Sequence, residues 1–315
     1  MQRWSLPLAG LVGVAILVSG CGTDDGANTA AAPPTTTPGT GSAASGLQGA
    51  TGTTNDPVIL AAVADYKTYA DGQVDELIRV TKVFTDAVRA GDLQAAQAAY
   101  APSREPWERI EPLAGLVEEI DGKVDARVDD FANEQDPNFT GWHRLELILF
   151  QENTTEGAAP FADQLDADLA TLKTQFATLE IPPATVPVGA SELIEEVSEG
   201  KITGEEDRYS KTDFWDFNAN IEGSKAAIGY LTPALQAKDP ALLAKIQTGF
   251  TDIDTTLAQF REGDGWKLYC LENDQYPSPR CTSVTVTTAQ VDTMKAQLAS
   301  LSESVSQAAG ALGLQ

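Results

Sequence analysis

The chain has 315 residues, with 21 Lys+Arg against 46 Asp+Glu and a formal net charge of −25. One large domain or two modest ones fit that length, and 42% hydrophobic residues are enough to build a core, which excludes wholesale disorder. The charge excludes a nucleic-acid backbone as partner, because affinity there comes from Lys and Arg, and it favours a cation or a cationic partner. A single histidine excludes multi-histidine zinc sites.

Residues 1–20 read as an export signal. Arg3 supplies the positive start, and Leu6 to Val18 is apolar but too short to span a bilayer. The stretch ends in Leu17-Val18-Ser19-Gly20-Cys21, which resembles a bacterial lipobox. Cys21 is therefore the expected lipidation site, and an ordinary secretory signal with an incidental cysteine is the alternative. Residues 21–55 are Gly, Ala, Thr, Ser and Pro with little apolar content, a composition that predicts a flexible tether. The protein is then extracytoplasmic and held at the cell membrane by lipid, on the periplasmic side or the cell surface. Export also favours a disulfide between the two remaining cysteines, Cys270 and Cys281. A thiolate metal site is the other option for that pair.

From residue 56 on, the pattern is helical. Asp56-Pro57 caps a helix of about 50 Å whose apolar residues Val63, Tyr66, Ala70, Val74, Leu77, Phe84 and Val88 keep helical spacing until Gly91. Asp92 starts a short helix that ends before Pro102, and Ser103 caps the next, which Pro112 kinks. Val124 to Phe131, Gly141 to Gln151 and Ala158 to Leu179 read as further helices. The breaker-rich Ile181 to Pro187 segment marks the internal boundary, giving an N-terminal half over 56–183 and a C-terminal half over 184–315. Ser191 then caps a short acidic helix, Thr212 to Leu231 and Asp239-Pro240 to Arg261 follow, and Thr287 with Gln290 forms a capping box for the last one. Only Ser283 to Thr287 looks like a strand. The predicted fold is all-α, two helical bundles in tandem. A faint echo of Tyr100, Trp107 and Glu111 in Tyr209, Trp215 and Glu222 agrees with a duplication.

His143 and Glu146, three apart in Gly141-Trp142-His143-Arg144-Leu145-Glu146, share one helix face and can reach one metal ion, although a surface hydrogen bond explains the spacing equally well. Arg104, Glu108 and Glu111 share another face, which an ion-paired solvated surface also accounts for. Glu205-Glu206-Asp207 reads as either a carboxylate cluster or an acidic helix start. Asp121, Asp125 and Asp129 read as a solvated face.

These stretches resemble a known family. The run from Tyr100 through Arg104, Trp107 and Glu108 to Glu111, then Asp125 to Phe131, then Gly141 to Glu146, is similar to the imelysin-like domain. Glu205 to Ser210, Asp213 to Asn220 and Glu262 to Trp266 resemble its EfeO-type iron-uptake branch. Together they cover about residues 57–312 in order. The resemblance implies two four-helix-bundle-like halves and an iron-binding lipoprotein that captures iron outside the cytoplasm. It also implies transfer to an EfeU-type permease beside an EfeB-type haem peroxidase, in an EfeUOB system. The implied metal ligands are His143 and Glu146, joined by Asp163 and Glu108. Arg104, Glu111, Glu206 and Arg144 are implied as secondary contacts or as residues that orient the ligands. Iron is the implied metal, with Cu²⁺ or Zn²⁺ as competitors. Some members carry a cupredoxin domain ahead of this one, where residues 22–55 here leave room only for the tether. The rival reading is an imelysin-like metallopeptidase. A zinc peptidase typically uses two histidines and a general base, and one histidine favours a binding protein.

Overall fold

The computed structural model describes residue 50 and residues 52–314. The signal segment, Cys21 and most of the tether lie outside the described residues. Helix α1 (Pro57–Arg89) starts where Asp56 accepts from the Val58 N–H at 3.0 Å. Its apolar stripe, Ile59 through Tyr66, Val74 and Phe84 to Val88, is buried. After Gly91, in the left-handed region, Asp92 caps helix α2 (Leu93–Ile110).

Helix α2 is one helix, where the sequence predicts two. It runs through Pro102 and Pro106. Each proline removes a ladder hydrogen bond, yet α2 packs between α1 and a later helix, α7 (Asp213–Lys238), and buries Tyr100, Arg104, Trp107 and Glu108. Tertiary burial outweighs the local cost. The helix then ends, rather than kinks, at Pro112, in a 3₁₀ turn over Glu111–Leu116. Helix α3 is Glu118–Val124, and the predicted helix from Val124 to Phe131 is only a 3₁₀ turn at Val128–Asp130.

Helix α4 (Gly141–Glu146) continues into a π-helical turn, Leu147–Gln151, a distortion that is frequent at functional sites. Gly141 sits at φ +77°, and a Cβ there would lie 2.2 Å from the Val124 carbonyl oxygen, so only glycine lets α4 start against the end of α3. Helix α5 (Ala159–Phe176) packs on α1.

Helix α6 (Thr185–Glu199) starts inside the predicted extended boundary and absorbs Pro187 in its first turn, where backbone N–H groups have no intrahelical partner anyway. Ser191, the expected cap, is therefore interior. Helix α7 passes Pro233 and reaches Lys238. Helix α8 (Pro240–Leu257) starts at an Asp239 cap, and α9 (Thr288–Leu312) starts at the Thr287–Gln290 capping box. Helices α6 and α7 pack together, as do α7 and α8, α8 and α9, and α9 and α6. The predicted strand at Ser283–Thr287 gives one isolated bridge, Leu271 to Val286, and the two-stranded hairpin falls at β1 (Arg261–Glu262) and β2 (Gly265–Trp266). Cys270 and Cys281 are disulfide-bonded, with Cα atoms 5.4 Å apart. Among the described residues the architecture is all-α apart from this hairpin, and no helix is long and apolar enough to cross a membrane.

Candidate metal centre

The carboxylates cluster where α2, α3, α4 and α7 meet the turn-rich segment ahead of α7. Helix α2 buries Arg104 and Glu108 one turn apart, and Glu111, at the start of the 3₁₀ turn that follows, is buried beside them. The chain leaves α3 at Asp125, whose side chain is 8% exposed. Helix α4 brings His143 (2% exposed) and Glu146, and residues 206–207 with Asp213 and Asp216 complete the group, all buried. Trp107 and Trp142 wall it off from water. The Trp107 indole N–H donates to Asp125 at 2.9 Å, and the Trp142 N–H donates to the Ser103 hydroxyl at 3.2 Å.

His143 stands between two sets of acids. Nδ1 lies 3.1 Å from Glu146 Oε2. Nε2 makes no hydrogen bond and faces Asp125 Oδ1 and Glu206 Oε1, each at 3.7 Å. Glu146 is itself anchored, because its Oε1 accepts the backbone N–H groups of Tyr209 at 2.9 Å and Ser210 at 2.7 Å. Asp207 accepts from the Tyr100 phenol at 2.9 Å and from the Thr212 hydroxyl at 2.5 Å. Three triads have ligand atoms close enough to hold one ion: Asp125–His143–Glu206, His143–Glu146–Asp207 and Glu108–Glu206–Asp216. One imidazole with several carboxylates is a hard, oxygen-rich donor set, suited to iron more than to a multi-imidazole zinc site.

Two buried cations hold these acids together. The Arg104 guanidinium contacts Glu108 and Asp125 at 2.5 Å, Glu206 at 2.9 Å and Asp216 at 3.3 Å. Lys201 contacts Glu111 at 2.9 Å, Glu108 at 3.0 Å and Glu206 at 3.3 Å. Arg127 pairs with Glu206 from the outer side. Burial drives all the carboxyls towards neutrality, and charge decides the outcome. At Glu206 burial is overcome by Lys201, Arg127 and His143, and its carboxyl is held well below the ordinary range. At Asp216 burial and Asp207 prevail over Arg104, and the carboxyl is pushed well up. For His143, burial and the Arg104 charge oppose protonation, but the carboxylates of Glu146 and Glu206 win and raise the ring to about 9.

The structure gathers His143, Glu146, Glu108, Glu206, Arg104 and Glu111 into this network. It does not bring in Asp163. That side chain is 68% exposed and bonds Arg89 at 3.0 Å, since the buried stripe of α5 is Ala162, Leu165 and Leu169, and position 163 turns about 100° away from it. Arg144 also points elsewhere. It donates to the Glu134 carbonyl and lies over the Phe139 and Phe161 rings. Asp125 corrects the solvated-face reading, because α3 ends at Val124 and turns the next side chain inward. Asp207 was read only as part of the Glu205–Asp207 run, with an acidic helix start as the alternative, and sequence reasoning passed over Asp216 and Lys201, although Asp216 lies in the Asp213–Asn220 motif. The Tyr209–Trp215–Glu222 echo meets a different fate from its partner set, for Glu222 is on the surface with Arg109 while Glu111 is buried on Lys201.

Among the described residues, a mainly helical fold buries the single histidine among carboxylates, and the imelysin family model (Peptidase_M75) matches residues 62–310. The chain belongs to the imelysin family. It is 45% identical over 254 residues to the iron uptake system component EfeO of Escherichia coli O157:H7, across 80% of this chain and 64% of that protein. It is 44% identical over 254 residues, with the same coverage, to the EfeO proteins of Escherichia coli K12 and Shigella flexneri. The chain thus spans a little under two thirds of the length of these relatives.

Proposed function

We propose that this protein is the iron-capturing component of an EfeUOB-type uptake system. His143 and Glu146 hold the ion, with Asp207 in place of Asp163 and with Asp125, Glu206 and Glu108 on the far side of the ring. The observation that carries this reading is His143 itself: its buried ring has ligand atoms close enough to hold an ion on both sides, with Glu146 and Asp207 and with Asp125 and Glu206, and on the latter side its Nε2 makes no hydrogen bond. A buried polar nitrogen left unpaired is costly, and a bound cation would relieve it. The similarity to EfeO proteins supports iron as that cation.

Around the site, two four-helix-bundle-like halves divide at about residue 184, with ligands drawn from both: Glu108, Asp125, His143 and Glu146 from the first, Glu206, Asp207 and Asp216 from the second. The ring of contacts among α6, α7, α8 and α9 supports the second bundle. A lipid on Cys21 tethers the body outside the cytoplasm, where iron passes to an EfeU-type permease beside an EfeB-type haem peroxidase. A peptidase must open a coordination position to a peptide, whereas here Glu146 is buried and Arg104 and Lys201 thread the carboxylates, which supports binding without turnover.

The test is an anaerobic Fe²⁺ titration of the metal-free protein. His143→Ala and Glu146→Ala should each weaken binding by about 100-fold with helical content unchanged. Wild-type affinity in both variants would refute the site. Metal-dependent cleavage of mixed peptides that disappears in Glu146→Ala would refute the binding-only role.

A further inference from the structure

Glu146 is held by two peptide N–H groups, and those two peptides are held in turn from the other end of the chain. Residues 205–211 form an irregular turn ahead of α7. The Tyr209 and Ser210 N–H groups point at Glu146. The carbonyls of the same segment point the opposite way, into the loop that Cys270 and Cys281 close. Tyr209 O accepts from the Ser278 hydroxyl at 3.1 Å, Ser210 O from the Arg280 guanidinium, and Lys211 O from the Tyr269 N–H at 2.8 Å. The buried Lys211 ammonium pairs with Asp274 of that loop at 2.8 Å. Arg280 also lies 4.7 Å over the ring of Phe150, in the π-helical turn that follows Glu146. One side chain therefore touches both the turn that presents the N–H groups and the element that carries the ligands.

The turn has bonds of its own, with the Lys211 N–H on the Asp207 carbonyl at 2.7 Å and the Ser210 and Thr212 hydroxyls 2.8 Å apart, while its Tyr209 and Ser210 carbonyls are held by Ser278 and Arg280. Lys211 adopts φ +59°, a conformation a non-glycine residue keeps only when its surroundings impose it. The 270–281 loop has no helix or strand ladder of its own. The Thr285 and Val286 N–H groups reach the Cys270 carbonyl at 2.9 and 3.1 Å, and the disulfide is the covalent link between the loop's two ends, next to Tyr269 on one side and Ser278 and Arg280 on the other.

We propose that the disulfide-closed loop is a positioning element of the metal centre. It fixes the Tyr209 and Ser210 N–H groups, these fix Glu146, and the metal affinity of the site therefore depends on an intact Cys270–Cys281 bond. Ser278 and Arg280 are the positioning residues. This rests on the assignment of Glu146 as a metal ligand. A chain whose Cys270 and Cys281 are unlinked is folded but a poor iron binder.

The experiment compares the full mature protein with Cys270→Ser/Cys281→Ser and with Arg280→Met, which retains a side chain against Phe150 but removes the donor. Anaerobic Fe²⁺ titration should show affinity lower by about 10- to 100-fold in both, the usual effect of removing support from a metal ligand. In a Glu146→Ala background the same changes should have less than about a threefold effect, because the loop then has no ligand to position. Amide hydrogen exchange of the metal-free protein gives a second readout: Tyr209 and Ser210 should lose protection in both variants while α1 and α9 keep theirs. Affinity within about threefold of wild type, an equal loss in the Glu146→Ala background, or unchanged protection at Tyr209 and Ser210 would each overturn the proposal. If the wild-type protein binds no Fe²⁺, the proposed function fails, and the exchange data still decide whether the loop positions the turn.

Discussion

The pH dependence of metal binding follows from the position of His143. An imidazole must be neutral to ligate, and in the metal-free site the carboxylates of Glu146 and Glu206 hold this ring protonated up to about 9. At pH 7 only about one ring in a hundred is then neutral, so apparent affinity sits about 100-fold below its high-pH limit and climbs about tenfold per pH unit until it levels near 9. A histidine with the ordinary value of about 6.5 would lose less than about twofold at pH 7. Competition titrations with a chelator of known affinity, run anaerobically from pH 6 to 8.5, separate these outcomes. The same shift acts on stability in the opposite sense. A folded value above the unfolded one stabilises the metal-free protein fully below about 6.5, and the gain is lost as pH rises through about 9. The difference spans about 3 kcal/mol at most. It is read as the gap between wild type and His143→Gln in urea unfolding, which should be largest at pH 6 and close by about pH 9.5. Flat affinity from pH 6.5 to 8.5, or an inflection at the ordinary histidine value, would refute the claim that Glu146 and Glu206 govern this ring.

Arg104→Met should destabilise the metal-free protein by about 3–5 kcal/mol in urea unfolding, since it strips the shared cation from buried Glu108, Asp125, Glu206 and Asp216; a loss under about 1 kcal/mol would mean those acids are already neutral. Gly141→Ala places a Cβ 2.2 Å from the Val124 carbonyl at a positive φ, and should cost about 1–3 kcal/mol and weaken Fe²⁺ binding by displacing α4. Unchanged stability there would show that α4 can start elsewhere. Asp163→Asn should leave Fe²⁺ affinity unchanged, because that carboxylate bonds Arg89 at the surface, and a drop of tenfold or more would return Asp163 to the site.

Local signals were legible where one segment decides its own structure. The Asp56-Pro57 start, the Thr287–Gln290 capping box and the Gly91 stop all act within a few residues, and the structure has all three. The Pro102 boundary failed, and the helix read as ending at Leu231 runs on past Pro233, because burial between neighbouring helices, which sequence does not display, outweighs a missing hydrogen bond. In the site, the His143–Glu146 spacing was readable because both sit on one helix turn. Asp163 was misplaced for want of one fact, which face of α5 meets α1. Asp125 was misjudged because its burial depends on where α3 stops. Lys201 was invisible for a stronger reason: its partners Glu108 and Glu111 lie about ninety residues away, and nothing near position 201 announces them.

Those distant cations also explain how such a site exists without metal. Carboxylates whose oxygens lie within 4.8 Å of one another, as in Glu108, Glu206 and Asp216, repel strongly out of water unless protons or cations intervene. Here Arg104 and Lys201 bridge Glu108 and Glu206, and a protonated His143 sits between Glu146 and Glu206. Of the three, only the imidazole can give up its proton near neutral pH and become a ligand; guanidinium and paired ammonium stay charged. At the proposed site a bound cation would therefore replace the proton on His143 rather than a salt-bridged side chain. Arg104 and Lys201 stay charged and go on bridging the remaining acids when His143 loses its proton.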